Sequence, residues 1–182
     1  MLLKKLEAAR EALGLEARTD CVVVSIGEQK LAHFRTGVPV AEYVVSTSRA
    51  EPSCVKDSLG TPTGFHQVLE KIGGDAPNGM VFKGRKPTGW RHWENPDAAS
   101  MDNLITTRIL WLDGLQEGHN RGGDRDTHTR YVYIHGTNQS HKLGTPNSHG
   151  CVLLGDVEVV RLYATLPAGA YVWIEDDRTG LS

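Results

Sequence analysis

The chain has 182 residues, 39% of them hydrophobic, which is enough to bury one sizeable core, so we expect a single compact globular fold. Its formal net charge of -2 gives no general positive field of the kind that attracts phosphate backbones or anionic lipid. Nucleic acid is therefore excluded from the expected partners.

The first fifteen residues predict an amphipathic helix that ends near Gly14, because their apolar side chains recur at three-to-four spacing. Charged residues interrupt this segment before an apolar run develops, so it has neither the pattern of a secretory signal nor the length of a membrane span. We therefore predict a cytoplasmic protein with no membrane partner. We divide the chain into an N-terminal helix at residues 1–20 and a main domain at residues 21–182. The apolar positions of the helix are Leu2, Leu3, Leu6, Ala9 and Leu13.

The three cysteines, Cys21, Cys54 and Cys151, are far apart and odd in number. This pattern argues against a disulfide framework and favours a reducing compartment. Cys21 leads into a run of valines and is expected to be a buried apolar side chain, while Cys54 is expected in a loop.

The first half of the main domain has the pattern of strands joined by turns. Residues 21–46 predict a three-stranded meander, and a further strand is expected at 61–69 after a polar loop. The glycine-rich segment 73–89 predicts a long surface connection with one short strand near Val81 and Phe82, and alternation at 105–112 predicts another strand.

The second half contains a short β run at 130–134 that delivers His135 at its C-terminal end, a helix at 156–166 and a final strand at 170–174. Since hairpins outnumber strand–helix alternations, we predict a mainly β fold, a sandwich or barrel of mostly antiparallel strands with few short helices. The helix is expected to turn four side chains toward the core, namely Val157, Val160, Leu162 and Tyr163.

The densest chemical signal is His135-Gly136-Thr137 followed by Ser148-His149-Gly150-Cys151. Most of a free cysteine is thiol at neutral pH, so a cysteine that attacks an amide needs a nearby base, and His135 can supply it. Glycine before Cys151 lets the backbone turn so that the amides of Gly150 and Cys151 point at a developing oxyanion. No Asp or Glu adjoins His135 in sequence, which makes a backbone carbonyl the candidate for holding its ring.

An alternative use of the same residues is a zinc site, because thiolate and imidazole are zinc ligands. The candidate ligands lack the usual close pairs, apart from His149 and Cys151. We therefore predict no metal and no cofactor. The four candidates are His135, His141, His149 and Cys151.

The two segments around His135 and Cys151 resemble the active-site signature of the YkuD-type L,D-transpeptidases. Thr61-Pro62-Thr63-Gly64-Phe65 is similar to the Thr-Pro-x-Gly strand of that family, and residues 22–46 resemble its opening meander. The resemblance covers roughly residues 21–175 and implies the L,D-transpeptidase type of β-sandwich or barrel.

By this resemblance, Cys151 attacks a peptide carbonyl, His135 takes and returns the proton, and the carbonyl oxygen of Gly136 orients the imidazole. The amides of His149, Gly150 and Cys151 would form the oxyanion hole. The side chain of His149 either tunes the thiolate or braces the turn, and we favour the second role. Ser148 is expected to bond locally within that turn.

One position departs from the family pattern, because Leu153 stands where family members usually carry Arg or Asn. The contact that this polar residue makes must then come from elsewhere. Arg130, Lys142 and Arg108 are candidates for a carboxylate clamp. We count Ser148, Arg130 and Lys142 as the predicted substrate-binding residues.

The resemblance implies a murein stem tetrapeptide or muropeptide as substrate, cleaved between the L-centre of a diamino acid and the terminal D-alanine. It also implies covalent inhibition by carbapenems. With no export signal recognised, we expect an L,D-carboxypeptidase of peptidoglycan recycling. Two alternatives stay open: a transpeptidase that forms crosslinks or exchanges D-amino acids, and a catalytically silent protein that binds murein fragments.

Overall fold

Ten strands form one mixed sheet in the computed structural model, which describes residues 2–178. The two α-helices and the strands follow one another as α1 (Leu2–Ala12), β1 (Asp20–Ser25), β2 (Lys30–Arg35), β3 (Val38–Val44), β4 (Gly64–Ile72), β5 (Met80–Lys83), β6 (Lys86–Arg91), β7 (Ile105–Gly114), β8 (Tyr133–Gly136), β9 (Val152–Leu154), α2 (Asp156–Thr165) and β10 (Tyr171–Glu175). Short 3-10 helices lie at His92–Glu94, Pro96–Ser100, Gly123–Arg125 and Ser140–Lys142.

The strands are ordered β3-β2-β1-β10-β4-β7-β5-β6, with β8 paired to β7 and β9 paired to β8. The pairs β1–β10 and β8–β9 are parallel, and the other pairs among the described residues are antiparallel. The predicted mainly β fold with few helices is therefore confirmed. No helix within residues 2–178 is long and apolar enough to cross a membrane.

Both faces of the central strands are covered, as β1 illustrates, since all six of its residues are buried. Successive side chains of a strand point to opposite faces. Val22 and Val24 therefore join the main core beneath α2, whereas Val23 packs on the other face with Leu6 of α1. The predicted N-terminal helix is confirmed, and Gly14 follows its end with φ +64°.

Three predictions about the elements were wrong in detail. The short strand expected near Val81 and Phe82 is present as β5, but the rest of residues 73–89 is not one surface connection, because β6 pairs with β5 in a hairpin. In α2 the buried face carries Val159 and Leu162, whereas Val157 is 51% exposed. The strand expected at 130–134 begins only at Tyr133, because residues 128–131 form a turn in which Tyr131 has φ +56°.

Candidate active site

The parallel pairing of β8 and β9 brings the two conspicuous sequence segments together. Ile134 is paired with Val152 and His135 with Leu153, so Cys151, just before β9, lies beside Tyr133. Side chains of neighbouring positions share one face of a sheet, and alternate residues of a strand return to that face. Cys151 and His135 therefore project from the same face, with backbones about 7 Å apart along the strand direction.

The His135 ring is held by its own strand. The residue is 2% exposed, and Nδ1 lies 2.7 Å from the carbonyl oxygen of Gly136. A carbonyl oxygen accepts, so Nδ1 carries the proton and Nε2 is left as the basic nitrogen. The structure thus places the Gly136 carbonyl where the resemblance implied it.

Burial sets the protonation of both groups. It lowers the pKa of His135 to about 4, against the opposing hydrogen bond to Gly136. It raises the pKa of the Cys151 thiol to about 11, although the Tyr133 amide and the charge of Arg130 both act to lower it. At neutral pH the site therefore holds a thiol and a neutral imidazole, so the base must remove the proton during attack.

The thiol is anchored to backbone rather than to the imidazole in this structure. Cys151 Sγ accepts from the Tyr133 amide at 3.3 Å and lies 3.6 Å from the Tyr131 carbonyl oxygen. A change of rotamer at the first side-chain dihedral swings Sγ along the face that it shares with His135. Catalytic hydrogen bonds commonly tighten only once substrate is bound.

A tight turn carries Cys151. Ser148 Oγ donates to the carbonyl oxygen of Cys151 at 2.6 Å and accepts from the Gly150 amide at 3.1 Å. Gly150 has φ +126°, a conformation that favours glycine. The local bonding expected of Ser148 is confirmed. Its contact with substrate stays a prediction, and the residue is 1% exposed.

The three predicted oxyanion-hole amides differ in their availability. The Gly150 N–H is already bound to Ser148. The N–H groups of His149 and Cys151 have no protein acceptor within residues 2–178. Two free amides on either side of a glycine in this turn can converge on one oxygen atom.

Of the three predicted cationic clamps, the structure brings Arg130 to the nucleophile. Its guanidinium donates to the carbonyl oxygens of Ser53 and Gly60, and its charge acts on the Cys151 thiol. Arg108 instead donates to the carbonyl oxygens of Ala76 and Thr107.

Lys142 and His149 are both linked to Asp102. Lys142 ends the 3-10 helix Ser140–Lys142, and its charge acts on Asp102. The exposed His149 ring has Nε2 3.4 Å from a guanidinium nitrogen of Arg49, which itself pairs with Asp102. These contacts favour the bracing role of His149.

A polar cluster that was not predicted from the sequence lies against Gly136, next to His135. Asp156 accepts from the hydroxyls of Thr106 and Thr107, and its second oxygen lies 2.7 Å from His92 Nε2. A Cβ atom at Gly136 would meet the Thr106 carbonyl oxygen at 2.7 Å and Asp156 Oδ1 at 3.0 Å. The signal in the sequence was the glycine itself, since a glycine inside a strand often marks a close backbone approach.

A second group that was missed is an aromatic wall beside Cys151. The Trp111 ring contacts those of Tyr131 and Tyr133, and Arg85 lies against all three side chains. Tyr131 and Tyr133 are two positions apart, but Trp111 and Arg85 come from other elements, and no spacing in the sequence links them to the two tyrosines. On the opposite flank lies a cavity of about 210 Å³ lined by Lys56, Asp57, Leu59, Thr129, Arg130, Tyr131 and His149.

The zinc alternative was tested by the arrangement of ligand-type side chains. Across residues 2–178, no three or more His, Cys, Asp or Glu side chains are grouped so that they could hold a metal ion. His135 and Cys151 share a face with aromatic residues instead, and His149 contacts Arg49. The nucleophile and base roles therefore fit these residues better than metal ligation.

A cysteine and a buried neutral histidine on neighbouring strands, with free amides beside the thiol, define a cysteine-nucleophile enzyme site. Residues 19–174 match the YkuD family, the L,D-transpeptidase catalytic domain. The chain therefore belongs to the YkuD family of L,D-transpeptidase catalytic domains. The predicted membership of a cysteine-enzyme family is confirmed.

Several relatives agree with this placement. The protein named "Putative L,D-transpeptidase YqjB" of Bacillus subtilis (strain 168) is 33% identical over 84 residues, which are 46% of this chain and 42% of that protein. An L,D-transpeptidase from Mycobacterium smegmatis superposes with a TM-score of 0.52 at 18% identity, covering 86% of this chain and 58% of that one. The L,D-transpeptidase LdtMt1 in complex with imipenem gives 0.52 at 16% identity, with 86% and 59% covered. The chain thus spans less than two thirds of these relatives.

Proposed function

We propose that this domain cleaves the murein stem tetrapeptide, free or as a muropeptide, at the bond between the L-centre of the diamino acid and the terminal D-alanine. The observation that carries the proposal is that Cys151 directly precedes β9, which runs parallel to the strand β8 that carries the buried, neutral His135. Family membership supports the substrate class.

The proposed reaction begins with Cys151. As His135 Nε2 takes the thiol proton, Sγ attacks the carbonyl carbon and forms a carbon–sulfur bond. The amides of His149 and Cys151 stabilise the oxyanion. The carbon–nitrogen bond to D-alanine then breaks, His135 returns the proton to the leaving amine, and a thioester remains on Cys151.

We propose water as the acceptor that releases this thioester, which makes the domain an L,D-carboxypeptidase with a stem tripeptide as product. The flanks of Cys151 carry the positive charges of Arg130, Lys56 and Arg85 and one negative charge, that of Asp57. The excess of positive charge disfavours the approach of an ammonium group, the resting form of an amine acceptor, but not of water. Peptidoglycan recycling and a cytoplasmic location belong to this proposal, and cell fractionation tests the location.

An amine acceptor is the second candidate, because the relatives are named L,D-transpeptidases. With it, the same thioester gives a crosslink or an exchanged D-amino acid. Covalent modification of Cys151 by a carbapenem is proposed for both reactions, since one solved relative is described in complex with imipenem.

Mass spectrometry of the protein with a soluble murein tetrapeptide, with and without an added amine, tests the proposal. Loss of D-alanine to water supports the carboxypeptidase, and amine adducts support the transpeptidase. The Cys151→Ala variant should form neither product, while Cys54→Ala is the matched control, since its buried thiol lies 3.8 Å from another imidazole, that of His119. Binding without any Cys151-dependent product would identify a silent murein-binding protein and refute the proposed reaction.

A further inference from the structure

Arg85 occupies the tip of the β5–β6 hairpin in a constrained conformation. Lys83 pairs with Lys86, so Gly84 and Arg85 form a two-residue turn, and both have positive φ, +54° and +65°. Such turns favour glycine, asparagine or aspartate, and a long side chain with positive φ is uncommon. An arginine keeps this conformation only where surrounding contacts hold it, so the contacts of its side chain matter.

The guanidinium of Arg85 reaches back from the hairpin tip to β7 and to the start of β8. Its central carbon lies 4.6 Å from the ring centre of Trp111 and 5.1 Å from that of Tyr131, and Nη1 donates to the Tyr133 hydroxyl at 3.1 Å. The backbones of Tyr131 and Tyr133 are the groups that contact Cys151 Sγ. Arg85 is thus fixed on the wall next to the reacting thiol.

Hydrogen-bonding capacity remains unused at this point. A guanidinium has five N–H donors, and the Tyr133 hydroxyl is the one acceptor that Arg85 meets in residues 2–178. No carboxylate within that range lies in salt-bridge distance of Arg85. The Tyr133 hydroxyl accepts from Arg85, and its own proton has no acceptor in the same part of the chain.

Arg85 therefore has unused donors and one positive charge next to the hydroxyl of Tyr133, a residue that is 4% exposed. A carboxylate matches them, because its two oxygens can take a guanidinium N–H and a phenol O–H together. Arg130, the other arginine near Cys151, is already bound to the carbonyl oxygens of Ser53 and Gly60. Arg85 is the cation beside the nucleophile with donors to spare.

We propose that Arg85 and the Tyr133 hydroxyl bind a carboxylate of the acyl-donor peptide and thereby set its register against Cys151. This inference rests on the proposed function for the class of peptide. The carboxylate comes either from the terminal D-alanine or from the side chain of the diamino acid. Arg85 acts in substrate binding and takes no part in proton transfer.

Calorimetric binding to the Cys151→Ala protein tests the proposal without needing turnover. With the free-acid tetrapeptide, adding Arg85→Gln should weaken binding about tenfold, and Arg85→Lys less, because it keeps the charge but loses the fork. Lys86→Gln is the matched control: it removes the same charge from an exposed neighbour in the hairpin and should change the Kd by less than twofold.

Two amidated peptides identify the carboxylate. If the C-terminal carboxyl is the one bound, the peptide amidated at its C-terminus should bind weakly. Its Kd should then be the same for the protein that keeps Arg85 and for the protein that carries Arg85→Gln. The peptide amidated at the side chain should then keep its dependence on Arg85. If instead the peptide amidated at the side chain loses its dependence on Arg85, the bound group is the side-chain carboxyl of the diamino acid.

Several results would overturn the assignment: no binding of the free acid, an Arg85→Gln effect below twofold, or an equal loss in Lys86→Gln. An Arg85-dependent Kd in the Cys151→Ala background, together with a parent protein that never releases D-alanine, would refute the proposed reaction and leave the carboxylate site standing. Release of D-alanine at a rate that does not depend on Arg85 would support the proposed reaction and refute the carboxylate site.

Discussion

The Nδ1 atom of His135 lies 2.7 Å from the carbonyl oxygen of Gly136, the next residue of β8. The strand itself thus holds the imidazole in one tautomer, without the carboxylate that often serves this purpose. Because the ring is buried, the arrangement keeps Nε2 unprotonated at neutral pH and available as a base.

Replacing His135 by alanine should lower kcat by about 10²- to 10⁴-fold, since its buried, neutral imidazole is the proposed base. His149→Ala is the matched control and should cost less than about tenfold, because its ring is exposed and contacts Arg49. Rates of D-alanine release measure both effects. A larger loss in His149→Ala than in His135→Ala would transfer the role of base to His149.

Gly136→Ala should disable the site through packing. The new methyl group would meet the Thr106 carbonyl oxygen at 2.7 Å, a contact that requires the strands to move apart. We expect a loss of about 1–3 kcal/mol in the free energy of unfolding and a fall in kcat. Denaturant unfolding and turnover measure the two effects.

Gly74→Ala is the control for this substitution. Its methyl group would face the Tyr163 hydroxyl at 3.1 Å, which is the end of a side chain rather than backbone. A Gly136→Ala protein as stable and active as Gly74→Ala would contradict the close approach of β7 and β8.

The strands and the nucleophile segment could be predicted from local pattern, because valine runs, turn glycines and the spacing around Cys151 are local properties. Val22 to Val24 predicted β1 and the meander correctly. The hairpin at 80–91 could not be found in this way, since its glycines mimic a loop and its pairing depends on β7.

The residues that support the site could not be predicted either, because they come together only in the folded sheet. Asp156 follows the nucleophile by only five positions, yet its partners Thr106, Thr107 and His92 lie far away in the sequence. Arg85 meets Tyr133 from a distant hairpin. Such contacts are created by the order of strands in the sheet, which residue spacing does not contain.

Alkylation of Cys151 should report its raised pKa. With a pKa of about 11, the thiol should react with iodoacetamide more slowly at pH 7 than a free cysteine, and its rate should keep rising above pH 9. Arg130→Gln removes a charge that lowers this pKa, so its rate at pH 8 should fall further. Arg125→Gln, at an exposed position, should react like the parent protein. A rate that levels off near pH 7 would show a thiolate–imidazolium pair instead.

Acid should destabilise the fold through two buried histidines. Burial lowers the pKa of both His66 and His135 from the ordinary 6.5 to about 4, so the unfolded chain binds protons that the folded chain does not. Their stabilising contribution is complete above about pH 6.5 and is lost as the pH falls toward 4. The loss amounts to about 3 kcal/mol for each histidine.

Urea unfolding at pH 7, 5.5 and 4.5 measures this loss. His66→Gln lowers stability at pH 7, because it disturbs the bonds of the ring to Gly64 and Thr127. Its dependence on pH should nevertheless be shallower than that of the parent protein, since one of the two titrating groups has gone and the carboxylates are unchanged. Parallel curves for the two proteins would mean that His66 has the same pKa in the folded and unfolded chains, and that its burial does not exclude the charge.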